Sequence, residues 1–166
     1  MLNNKLTLDI LTPMSDFHRV SRKVLNRDAF SVKAGFWAKK VNGGVMSFNE
    51  AATAATSGVN VLCLSDYIPA SNPLSMYEGN DTKVGNITAV NAPGIRVLIG
   101  EAYLVTPTAW DNSVYNTGVA LKVVSHLTVD TGKLTVAATG DYANAVIQDV
   151  DNVAKTVEIM ILPGKV

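Results

Sequence analysis

Three aspartates, Asp141, Asp149 and Asp151, fall within eleven residues of ATGDYANAVIQDVDNVAKTVEIMIL, the stretch from 138 to 162. Carboxylates at that density could hold a divalent cation or divide acid–base work between them. A calcium loop of the EF-hand kind needs oxygen ligands at alternate positions, a central Gly and a closing Glu about twelve residues from its start. DYANAVIQDVD puts Ala143, Ala145 and Ile147 where ligands should stand. Asp149 and Asp151 alternate, so on a strand both face one side. They could hold a cation only if about four further oxygens came from elsewhere. The simpler reading makes Asp149 to Asn152 a turn whose side chains cap backbone amides, and gives Asp141, between Gly140 and Tyr142, the same duty at a strand end. No pattern nearby marks a pocket that would raise one carboxyl for catalysis.

The other chemistry-bearing residues are as sparse. Cys63 is the single cysteine and lies inside the apolar run GVNVLCLSDY. It has no partner for a disulfide and no base beside it, so it reads as a buried small hydrophobe. His18 and His126 form no His/Cys cluster of zinc spacing. Ser125 and His126 are adjacent, and neighbours on a strand point to opposite faces, which excludes a catalytic pair. VNGGV and VGNITAV match neither phosphate-binding glycine pattern. Trp37, Tyr103, Trp110 and Tyr115 could line a sugar groove, although aromatics in small β domains are more often core. The residues therefore call for no catalytic group, no metal and no cofactor.

Composition says what must carry these positions. The chain has 166 residues, enough for one domain with a core of its own. Hydrophobic residues make up 48% and charged residues 17%, with mean hydropathy +0.19. So little charge suggests that a partner covers part of the surface. Fourteen basic residues balance fourteen acidic ones, so no global field draws the chain to nucleic acid or to a membrane surface. The distribution is uneven. Residues 1–40 hold eight Lys/Arg and three Asp/Glu, whereas residues 101–166 hold four and seven, which could support head-to-tail contacts. No stretch approaches the ~20 apolar residues of a membrane helix. MLNNKLTLDIL lacks the basic and apolar regions of a secretory signal, and production in a reducing cytoplasm is expected.

Residues 1–29 read as an N-terminal arm. After Pro13 a short helix is expected, N-capped by Ser15, with Phe17, Val20, Val24 and Leu25 near one face and Arg19, Arg22, Lys23 and Arg27 on the rest. A helix so short must dock on something. Residues 30–166 form a β-rich domain. FSVKAGFWAKKV and GVMSFNE flank Asn42-Gly43, the strongest local hairpin signal, because both turn positions need positive φ. GVNVLCLSDYI reads as a buried strand. Residues 69–94 are a loop-rich insertion with three Pro, three Gly and four Asn. IRVLIGEAYLVTP, GVALKVVSHLTV, KLTVAATG, NAVIQDVD and KTVEIMIL follow as short β-branched runs. Turn signals about every ten residues predict an all-β small barrel or sandwich.

GVALKVVSHLTVDTGKLTVAATGDYANAVIQDVDNVAKTVEIMIL resembles the closing β-segment of lambda-type head decoration (cement) proteins of tailed bacteriophages. SVKAGFWAKKVNGG and IGEAYLVTPTAW are similar to the strand, Gly, strand, turn units of that group. The resemblance covers the chain from about residue 30. It implies a β-rich, non-enzymatic virion protein on the capsid exterior, made in the host cytoplasm, that staples neighbouring subunits of the major capsid protein and assembles as a trimer. It also implies an arm running along the shell, with capsid contacts expected from Leu6, Leu8, Ile10, Leu11, Phe17, Arg19, Arg22, Lys23 and Arg27. The alternatives are another virion part, such as a head fibre base or tail component, and a carbohydrate-binding β module.

Overall fold

The computed structural model describes residues 7–12, 20–25, 34–40, 45–47, 59–64, 68–69, 84–90, 92–105, 114–124, 130 and 132–163. Among these residues twelve strands follow in chain order: β1 (Leu8–Ile10), β2 (Val20–Leu25), β3 (Trp37–Lys40), β4 (Val45–Ser47), β5 (Val59–Cys63), β6 (Ile68–Pro69), β7 (Val84–Val90), β8 (Arg96–Gly100), β9 (Ala120–Val123), β10 (Leu134–Val136), β11 (Ala145–Asp151) and β12 (Thr156–Ile161). Among the described residues the one helical element is a single 3-10 turn, Glu101–Tyr103. The protein is all-β, as the β-branched runs and turn residues predict.

The strands make two sheets. The first is antiparallel throughout, in the order β1-β8-β12-β11-β9-β10. The second runs β2-β4-β3-β5-β7-β6, and β2 pairs with β7 as well as with β4. Strands β2, β4, β3, β5 and β7 thus close into a ring, with β2 and β4 the parallel pair. Each of those strands therefore has a partner on both sides for part of its length. Strands β3 and β4 pair antiparallel as the hairpin signal predicts, but Lys40 opposite Met46 and Lys39 opposite Ser47 centre the connection on position 43 rather than on a two-residue Asn42-Gly43 turn. Its turn residues lie outside the described set.

Alternation explains the core. In β8 and β12 every second residue, Val97 and Ile99, then Val157, Ile159 and Ile161, is buried on the inner face. Leu121, Ala145 and Ile147 continue that face. Trp37, Leu62 and Val90 of the second sheet join the same cluster. Each fully buried Ile or Leu contributes roughly 1.5–3 kcal/mol, so this shared face dominates the stability. β5 is buried on both sides, Asn60, Val61, Leu62 and Cys63 alike, because it lies between the ring interior and the shared core. That is why its sequence is a near-continuous apolar run.

Particular residues tie segments together, some between the two sheets and some within the first. Trp37 N donates to Gly132 O at 2.9 Å, and Val105 N donates to Leu134 O at 2.7 Å. Tyr103 packs edge-on against Phe36, with ring centroids 6.0 Å apart at 85°. Gly35, at φ +88°, lies under the Tyr103 ring, so close that a Cβ would stand 2.5 Å from Cζ. Asn144, buried, joins three segments. Its N–H donates to Leu121 O, its carbonyl accepts from Leu162 N, and its Oδ1 accepts from Val123 N at 3.1 Å.

Two sequence expectations are corrected. Val20–Leu25, given helical spacing above, is strand β2, paired with β7 from Val20↔Ala89 to Leu25↔Val84. Partners on both sides outweigh a weak local helix preference. The insertion at 69–94 is not a continuous loop, because Val84–Val90 is β7, which contacts β2, β5 and β6. Gly85 and Asn86 disguise it, since both are poor strand formers locally.

Candidate functional site

The three aspartates stand apart, each with its own surroundings. Asp141 Oδ2 accepts from Lys122 Nζ at 2.6 Å and from Ala138 N at 2.7 Å, while Asp141 N donates to Ala138 O at 3.0 Å. The carboxylate closes the 138–141 turn and ties it to β9. The Lys122 hydrogen bond, and then the Ala138 N–H, hold its pKa below the ordinary carboxylate value. Asp151 Oδ1 accepts from Val153 N at 2.9 Å and Ala154 N at 2.8 Å. It thereby caps the β11–β12 turn, in which Lys155 takes φ +57°. Asp149, expected in that turn, is instead an exposed residue of β11 opposite Glu158, because a register shift between Ile147 and Asp149 lets the pairing run on to Asp151. Among the described residues no three His, Cys, Asp or Glu side chains are grouped to hold a metal ion.

The remaining candidates disperse in the same way. Cys63 is buried, and desolvation pushes its thiol up to about 12, which leaves no thiolate for nucleophilic attack. Trp37, Tyr103 and Tyr115 are buried at 2%, 6% and 2% exposure. Three of the four aromatics proposed for a sugar groove are therefore core. Trp110, His18 and His126 lie outside the described residues. Of the expected shell contacts, Leu8 and Ile10 pack against the chain's own core, and Leu11 is exposed. Arg22 and Lys23 belong to β2. Leu6, Phe17, Arg19 and Arg27 lie outside the described residues.

A different surface is assembled by the pairing register. On the outer face of the first sheet, Arg96 opposes Met160, Met160 opposes Val146, and Val146 opposes Ala120. Leu11 extends that row at one edge, since its N–H donates to Arg96 O at 2.9 Å. Ala137 extends it at the other edge, donating to Ala120 O at 2.8 Å. The row is apolar at every strand except β8. Beside it runs a second row, Asp9, Leu98, Glu158 and Asp149. Leu98, Met160 and Val146 are half-buried, against an expectation of polar residues on an outward sheet face. The Arg96 guanidinium meets Glu158 Oε1 as a charge contact without hydrogen-bond geometry.

Arg96, Leu98, Val146 and Met160 were missed as a group by sequence reasoning, although a signal existed. In RVLIG and TVEIMI the buried residues occupy alternate positions, and Leu98 and Met160 fall on the off-beat where a solvated face would carry polar residues. Their adjacency depends on registers between strands that are distant in sequence. No protein-family model matches the chain, and neither a curated protein nor a solved structure matches it.

Proposed function

We propose that this protein is a structural component of a virion, bound to the outer surface of an icosahedral phage capsid and stapling neighbouring subunits of the major capsid protein. The observation that supports this reading best is the outer face of the first sheet, where an apolar row interrupted by Arg96 runs from Leu11 to Ala137. A rigid β surface of this kind suits adhesion. Its modest single contacts become tight when repeated over a lattice or within a trimer, because each further contact is intramolecular. The low charge fraction and the resemblance to decoration proteins support the same reading. The protein acts without cofactor or catalysis, on the virion exterior, after synthesis in the host cytoplasm.

The test is cosedimentation with assembled shells of a phage major capsid protein. Pelleting with shells at a fixed stoichiometry, and a raised temperature of shell disassembly, are expected. A protein that stays in the supernatant and sediments as a monomer at high concentration would overturn the reading.

A further inference from the structure

The two outer rows differ in charge balance, and that difference specifies what can dock. One row, Leu11, Arg96, Met160, Val146, Ala120 and Ala137, crosses the whole sheet. At ~4.8 Å between strands it is roughly 24 Å long. The acidic row lies two residues along from Leu11, Arg96 and Met160 and, past the register shift in β11, three along from Val146, about 7 Å to the side of the first row. Of the carboxylates near these rows, Glu158 is met by Arg96 and Asp141 by Lys122, and Asp151 caps its turn. Asp9 and Asp149 are exposed and form no ion pair with a described residue. They flank Leu98 and Glu158 from β1 and β11, roughly 14 Å apart.

Resting on the capsid reading above, we infer that this face is the docking surface for a basic amphipathic segment of the capsid subunit. That segment presents an apolar stripe to Met160, Val146 and Leu98, and Lys or Arg to Asp9 and Asp149. Two uncompensated carboxylates beside an apolar stripe reject an acidic or purely apolar partner and reward a cationic one. They also disfavour a second copy stacked on the same face, since like charges would meet.

The experiment uses the full chain and assembled shells, with bound fraction measured against salt concentration. Wild-type binding should weaken as salt rises, because exposed charge pairs are screened. The double variant D9K/D149K changes two exposed side chains and should bind on the order of tenfold or more weakly. V146S, outward-facing and half-buried, should also lose affinity while keeping the β circular-dichroism spectrum and unfolding midpoint of the parent. Wild-type binding that both variants match would overturn this inference and leave the capsid reading standing. Absence of wild-type binding would overturn both. A dimer in free solution that V146S dissolves would assign the face to a second copy and overturn the inference alone.

Discussion

Gly35 sets the join between the two sheets, and replacing it with Ala tests that join quantitatively. Two penalties add there. The backbone sits at φ +88°, where an L side chain is strained, at a cost of about 1–2 kcal/mol. The new Cβ would also stand 2.5 Å from Tyr103 Cζ, inside van der Waals contact. Tyr103 is buried and held edge-on by Phe36, so it cannot swing away freely. Overpacking of this kind costs about 1–3 kcal/mol. G35A should therefore lose about 2–5 kcal/mol of the ~5–15 that stabilise a typical domain. Gly94 supplies the control. It has φ +86°, and a Cβ placed on it would meet nothing within 4 Å, so G94A should lose the conformational part only, about 1–2 kcal/mol. Urea unfolding at matched m-values measures both. The same G35A change in a Y103A background should cost no more than G94A. If G35A and G94A cost the same in the parent protein, the close packing of Gly35 on Tyr103 is wrong.

Other outcomes follow from the same geometry. Cys63 has its folded pKa raised from 9.0 to about 12, so burial favours the neutral thiol. Its contribution is complete below pH ~9 and declines as pH rises toward 12, by about 1.4 kcal/mol per unit. C63A should lack that decline in unfolding titrations, and the native thiol should resist Ellman's reagent until the chain unfolds. Asp141 is held low by Lys122 and by the Ala138 N–H, so its support is present above the unfolded carboxyl value and lost as pH falls through the folded one. NMR titration should show the Asp141 carboxyl moving back up in K122M. D151A strips the acceptor from the Val153 and Ala154 amides, and should cost about 0.5–2 kcal/mol, as loss of a cap does. V153S, at a site 96% exposed, should leave the unfolding midpoint unchanged.

Much of the fold is legible locally. β-branched alternation in RVLIG, ALKV and TVEIMI marks strands with one buried face, and Asn42-Gly43 announces the hairpin that β3 and β4 form. The turn duty of Asp151 is also written in the chain, because a short carboxylate two or three residues before its target amide caps that amide through local geometry. For Asp151 the targets are Val153 and Ala154. Asp141 reaches backward to Ala138 instead. Cys63 reads correctly as core because its neighbours are apolar on both sides.

What the chain alone left undecided depends on partners far away in sequence. Val20–Leu25 has helical spacing, yet it pairs with Val84–Val90, more than fifty positions on, and cooperative pairing overrides local preference. The strand at Val84–Val90 is itself hidden by Gly85 and Asn86 and exists through its neighbours. The composition predicts a covered surface without saying where. Only the registers of β1, β8, β12, β11 and β9 line up Leu11, Met160, Val146 and Ala120 beside Asp9 and Asp149. A strand's period of two decides which residues share a face. Which faces meet across a sheet is decided by tertiary pairing, and that pairing makes this surface.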